Sequence, residues 1–162
     1  MTNSIVDRPP SKALRLGLRL PIWLYRLRLG WLLGNRFLLL THMGRKSGKP
    51  HQAVIEVVRH DTQTDTYYVV SGWGERSSWY QNIRNSPKVT IQVGGRKLQA
   101  QAEFIPLDEE IEIMESYARE HPVAFKELGT LFFGKQMNPG RDSAKYLAEK
   151  MPMVAFHPNK IV

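Results

Sequence analysis

The chain of 162 residues carries 23 Lys or Arg against 15 Asp or Glu, a formal net charge of +8, and no cysteine. That length suits one domain with its own core, and the lack of cysteine excludes disulfides, thiolate metal sites and cysteine nucleophiles. The positive excess points to an anionic partner and is uneven, with ten Lys or Arg and no Asp or Glu from Arg8 to Ile55, so the anion-facing part is expected early in the chain.

Residues 1–12, ending in "RPPS", read as a disordered tail, and residues 13–34 as a basic amphipathic helical segment. Leu14/Leu18 and Leu16/Leu20 pair at helical spacing, although the same leucines also alternate as in a strand. Pro21 suits the first turn of a second helix, "PIWLYRLRLGWLL", which Gly34 ends. Arg15, Arg19, Arg26, Arg28 and Arg36 interrupt the apolar run, so neither a secretory signal nor a clean membrane span is expected. The segment either covers the protein's own core or lies flat on an anionic membrane surface. A cytoplasmic location is expected, with attachment to the inner face of the membrane as the added option.

Residues 35–162 read as a single domain. "RFLLLTHM" and "QAVIEVVRH" are apolar strands flanking the basic turn "GRKSGKP", and "TYYVVSG" is a third strand after the turn "DTQTD". "SSWYQNIRNSP" predicts a short helix stopped by Pro87. "KVTIQVGGRKLQAQAEFI" alternates on both sides of Gly94-Gly95, a hairpin signal. Beyond Pro106, "LDEEIEIMESYAREHP" opens with acids that suit a helix N-terminus, "VAFKELGTLFFG" and "DSAKYLAEK" predict two further helices, and "MPMVAFHP" a last strand. Consecutive antiparallel hairpins imply an α+β fold with a small barrel or half-barrel.

Several chemistries are disfavoured. His42, His51, His60, His121 and His157 show no ligand spacing and no accompanying acidic cluster, so no metal site is expected. There is no G-x-S-x-G nucleophile elbow, and "GRKSGK" lacks P-loop spacing. Trp73, Trp79 and Tyr80 near Arg76 and Arg84 form an aromatic–basic mix of the kind that stacks bases. They cluster in one segment, however, and are not strung along a groove, so no nucleic-acid partner is expected. What remains is a discrete site with a cationic end and a glycine- or aromatic-lined end. Ser71, Gly72 and Gly74 leave backbone open to a flat ring. Trp79, Tyr80, Asn82 and Arg84 follow, and Arg45 and Lys46 suit a phosphate tail. Each also has a plainer reading, as a core aromatic, a helix-surface amide or a solvated charge.

"LLLTHMGRKSGKP", then "YYVVSGWG", then "WYQNIRNSPKVTIQVGG" together resemble the deazaflavin-dependent nitroreductase family. These are coenzyme F420H2-dependent quinone and nitro reductases. The likeness runs from about Phe37 to Ala102. It implies a mostly antiparallel split β-barrel of the FMN-binding, pyridoxamine-phosphate-oxidase-like kind, with helices at the N-terminus and in the C-terminal part.

For the site, the resemblance implies that Leu39, Leu40, Thr41 and the turn Arg45, Lys46, Ser47, Gly48, Lys49 and Pro50 hold F420. Val54 would lie along the ring face, and Val69, Val70, Ser71 and Gly72 beside the deazaflavin. Ser78, Trp79, Tyr80, Gln81 and Asn82 would complete the pocket, with Arg84 at a position usually Lys or Arg. The chain departs from the family at Gly72, where a lysine is common, in the shortened "RSSWY", and at Trp73. The implied reaction is hydride transfer to a quinone, nitroaromatic or similar conjugated acceptor, with Ser78 and Tyr80 as candidate proton donors. The rival readings are the same fold binding FMN, and a non-catalytic split barrel that binds lipid or another hydrophobic ligand. A homodimer, a lipid quinone and an anionic membrane surface are among the partners this reading admits.

Overall fold

The computed structural model describes residues 34–159, so the expected tail and N-terminal helices lie outside the described residues. The strands are β1 (Phe37–Met43), β2 (Pro50–Asp61), β3 (Thr66–Val70), β4 (Lys88–Val93), β5 (Arg96–Phe104) and β6 (Met153–Pro158). The helices are α1 (Ser78–Asn85), α2 (Leu107–Glu120), α3 (Pro122–Phe133) and α4 (Arg141–Lys150). The strands close into an antiparallel barrel in the order β1-β2-β3-β6-β5-β4, sealed by β1 against β4. The expected α+β barrel is the fold observed, and every strand and helix expected between Phe37 and Pro158 is present.

Alternation sets the inside of the barrel. Leu38 and Leu40 on β1, Tyr67 and Val69 on β3, Val89, Ile91 and Val93 on β4, and Val154 and Phe156 on β6 pack together within it. This follows from the period of two along a strand, which turns alternate side chains to one face. Tyr80 and Ile83 of α1 close one end of this interior. A second core forms outside the barrel wall, where α2, α3 and α4 pack over Val58, Val70 and Met153. Hence β6 is buried on both faces and reads as an unbroken apolar run, Met153 through Phe156.

Local signals explain the joints. Gly94 stands at φ +55 in the two-residue β4–β5 turn, a conformation open to glycine. α2 starts after Pro106 with Asp108, Glu109 and Glu110 in its first turn, where the helix dipole favours acids. Pro122 opens α3 at once, since it cannot extend a helix but suits a first turn. The basic turn between β1 and β2 and the loop between β3 and α1 emerge side by side, and the site forms there.

Candidate functional site

The turn Gly44–Lys49 is held by its own backbone, with the Gly44 N–H donating to the Lys49 carbonyl at 2.8 Å and the Gly48 N–H to the Gly44 carbonyl at 2.9 Å. Gly48 takes φ +65, the left-handed region. A Cβ at Gly44 would stand 2.5 Å from Ser47 Oγ and 2.7 Å from His51 Nε2, so only glycine leaves room for that packing. Ser47 Oγ also accepts from the Lys49 N–H at 3.2 Å and lies 3.1 Å from His51 Nε2.

Opposite the turn, the β3–α1 loop is knotted by Ser71. Its hydroxyl donates to the Gly74 carbonyl at 2.6 Å and lies 2.7 Å from the Ser77 hydroxyl, which supplies the second proton. Two contacts join turn and helix. The Arg45 N–H and Nη1–H both donate to Asn82 Oδ1, at 3.1 and 2.9 Å. Behind Asn82 its Nδ2 meets His42 Nδ1 at 3.0 Å. Burial, and next the neighbouring His51, lower His42 to about 4, so its ring is neutral near pH 7.

Between turn and loop lies a cleft of about 800 Å³ lined by His42, Gly44 and Arg45 through Ser47 on one side, His51 through Ala53 below, and Trp73, Arg76 through Trp79, and Asn82 on the other. Among the described residues no carboxylate pairs with Arg45, Lys46 or Lys49. By contrast, Arg36, Arg84, Arg96, Arg119 and Arg141 each face an acid. The first turn of α1, which abuts the cleft, contains no acidic residue. A cation-rich rim beside a helix N-terminus suits an anionic ligand.

The residues expected from the sequence divide by position. Arg45, Lys46, Ser47, Ser78, Trp79 and Asn82 line the cleft together. Gly48 and Lys49 lie in the same turn and Pro50 is the first residue of β2, and none of the three lines the cleft. Thr41 and Val54 lie in the β1–β2 ladder opposite Gln52 and Leu39. Leu40 and Val69 point into the barrel interior, and Val70 packs outside it under the helices. Ser71 is fully buried and ties the loop, while Gln81 lies half-buried on α1. Gly72 receives the Phe132 ring of α3.

Tyr80 packs in the barrel interior, edge-on to Phe104 with ring centroids 5.2 Å apart, and burial raises its phenol. Arg84 lies over Tyr80 and 3.7 Å from Glu75, away from the cleft lining. The sequence reading did not pick out His42, Gly44, His51, Gln52, Ala53, Arg76 or Ser77 as lining. The period of two from Leu38 and Leu40 carries on to His42, a signal that could have placed it on the inner face of β1. The remainder come from loop geometry without a local signature. Among the described residues no cluster of His, Asp or Glu could hold a metal ion.

The closed barrel thus carries, between the Gly44–Lys49 turn and α1, a cation-rimmed, indole-walled cleft whose lining suits a flat anionic ligand. Residues 20–129 match the model of the F420H2-dependent quinone reductase family, and the chain belongs to that family. Coenzyme F420 is the cofactor that membership implies. Among solved structures, an F420H2-dependent reductase, FDR-A, is 20% identical, with 76% of this chain and 96% of that chain covered and a TM-score of 0.51. A chain described as a domain-swapped dimer is 19% identical, covering 85% and 99%, with a TM-score of 0.51. A pyridoxamine 5′-phosphate oxidase candidate from Listeria innocua is 14% identical, covering 84% and 93%, with a TM-score of 0.50. These likenesses show the split-barrel fold.

The donor set fits F420. Arg45 and Lys46, which face no carboxylate among the described residues, and the open N-terminal turn of α1 suit its phosphate and acidic tail, and Trp73 and Trp79 offer flat apolar surface for its ring.

Proposed function

We propose that the chain passes a hydride from F420H2 to a quinone or nitroaromatic in the cleft between the Gly44–Lys49 turn and α1. The observation that carries this reading is the pair of cations Arg45 and Lys46, which face no carboxylate among the described residues and lie across one cleft from Trp73 and Trp79. Bound there, the deazaflavin supplies a hydride and no single-electron chemistry. The protein's work is then positioning, which depends on holding ring and acceptor in near-attack geometry.

Arg45 and Lys46 hold the anionic end. Trp79 walls the ring side, and Trp73, edge-on to Phe132 at 5.4 Å between centroids, narrows the acceptor side. One hydride and one proton turn a quinone into a hydroquinone. Ser78 passes that proton from solvent, a role that its exposed position on the cleft wall supports. The basic, leucine-rich residues 13–34 support attachment to an anionic membrane, where a lipid quinone would be met. Among the described residues no helix is long and apolar enough to cross a membrane. The likeness to a domain-swapped dimer supports a homodimer.

The test is to mix the protein with F420H2 and either menadione or a nitroaromatic and to follow the return of oxidised deazaflavin absorbance. Faster oxidation of F420H2 with menadione supports a quinone acceptor, and with the nitroaromatic the other class. No oxidation with either, while F420 still binds, contradicts the proposed reaction.

A further inference from the structure

Of the chain's polar groups, His42 is one that the hydride chemistry does not require, yet it is only 5% exposed and its partner Asn82 only 4%. The two stand forty residues apart in sequence and are joined by a buried 3.0 Å contact. Its geometry admits one assignment. Asn82 Oδ1 receives two obligate donors, the Arg45 N–H and the Arg45 guanidinium. The amide nitrogen must therefore face His42, and His42 Nδ1 must accept. Turning the carboxamide over would set an N–H₂ against two donors. Protonating His42 at Nδ1 would set a donor against the amide nitrogen. The groups facing the imidazole are Asn82 from α1 and the stacked His51 ring from β2, 5.9 Å between centroids. Burial and His51 both favour its neutral form.

We propose that His42 is a positioning residue for anion capture, whose Nδ1 locks the Asn82 carboxamide so that its oxygen aims Arg45 into the cleft. An exposed arginine samples many rotamers, and ordering it upon ligand capture costs entropy. With one Nη1–H fixed on Asn82, the guanidinium keeps its other donors for the ligand and starts close to its bound rotamer. The lock depends on His42 although that side chain need touch no ligand itself. This inference rests on the F420 reading for its ligand, while the lock itself can be measured without any cofactor.

The experiment compares His42→Leu and His42→Asn with the unmodified chain at pH 7. Leucine removes the acceptor, whereas the asparagine carbonyl oxygen falls where Nδ1 stood. Two quantities are read: the Kd for F420 by fluorescence titration, and hydrogen exchange of the Arg45 backbone amide by NMR with no cofactor present. His42→Leu is expected to weaken F420 binding about tenfold and to expose the Arg45 amide to exchange. His42→Asn is expected to recover most of both. If His42→Leu matches the unmodified chain in both readouts, or His42→Asn falls as far as His42→Leu, the positioning role is overturned. If amide protection follows the expected order but F420 does not bind even the unmodified chain, the lock stands and the cofactor reading falls.

Discussion

Gly72 lies so close beneath the Phe132 ring that a Cβ at position 72 would overlap it. The place where the sequence resemblance suggested a lysine is filled by the chain's own aromatic from α3. Phe132 in turn meets Trp73 edge-on, so the glycine in the β3–α1 loop and the placement of α3 form one arrangement. Gly72→Ala should destabilise the fold by roughly 1–3 kcal/mol through overpacking. Combining it with Phe132→Ala should relieve part of that loss, and denaturant unfolding of the four chains of the cycle measures the coupling.

Ser78 and Tyr80 sit two residues apart but face different surroundings, one on the cleft wall and one in the barrel interior. Ser78→Ala is expected to lower turnover several-fold with little change in F420 affinity. Tyr80→Phe is expected to keep turnover near that of the unmodified chain. Steady-state rates under saturating F420H2 separate the two.

Two buried groups give stability opposite slopes with pH. Unfolded His42 takes up a proton near its ordinary 6.5, while the folded chain refuses it until about 4. Stability is therefore lost as pH falls through that window. Glu110 in the first turn of α2 is only 2% exposed, has no partner at Oε1, and is raised by burial from 4.5 to about 8. Its contribution is complete below 4.5 and is lost as pH rises to about 8. Glu110→Gln should flatten the alkaline side of a Tm-against-pH curve, and His42→Asn the acid side. Unaltered slopes in these variants would show that neither group titrates as assigned.

Deleting residues 1–20 tests the membrane reading. If the basic segment lies on a surface, the shortened chain should bind vesicles containing anionic lipid several-fold less well, in a manner screened by salt. Unchanged binding in a flotation assay would return those leucines to a packing role.

The barrel was legible because its signals are local. Alternation in "KVTIQV" and "RKLQAQAEF" around Gly94-Gly95 and the β-branched "TYYVV" specify strands without reference to the rest of the chain. The cationic turn was legible for the same reason, since Arg45, Lys46 and Lys49 are neighbours in sequence. Three things were not: which face each apolar strand residue takes, what approaches Gly72, and what Asn82 touches. Val69 and Val70 look alike in sequence, yet one enters the barrel and the other meets the helices, because only the packing of α2 to α4 makes the outer wall apolar. Phe132 reaches Gly72 from sixty residues away. His42 meets Asn82 only once the barrel has closed.

Fluorescence titration of F420 against the unmodified chain and a variant carrying both Arg45→Ala and Lys46→Ala tests the central claim most directly. Charge-assisted contacts to a phosphate tail predict a loss of about ten- to a hundredfold in affinity for the double variant. Equal affinity in the two proteins would contradict the assignment of the rim to the cofactor's acidic tail.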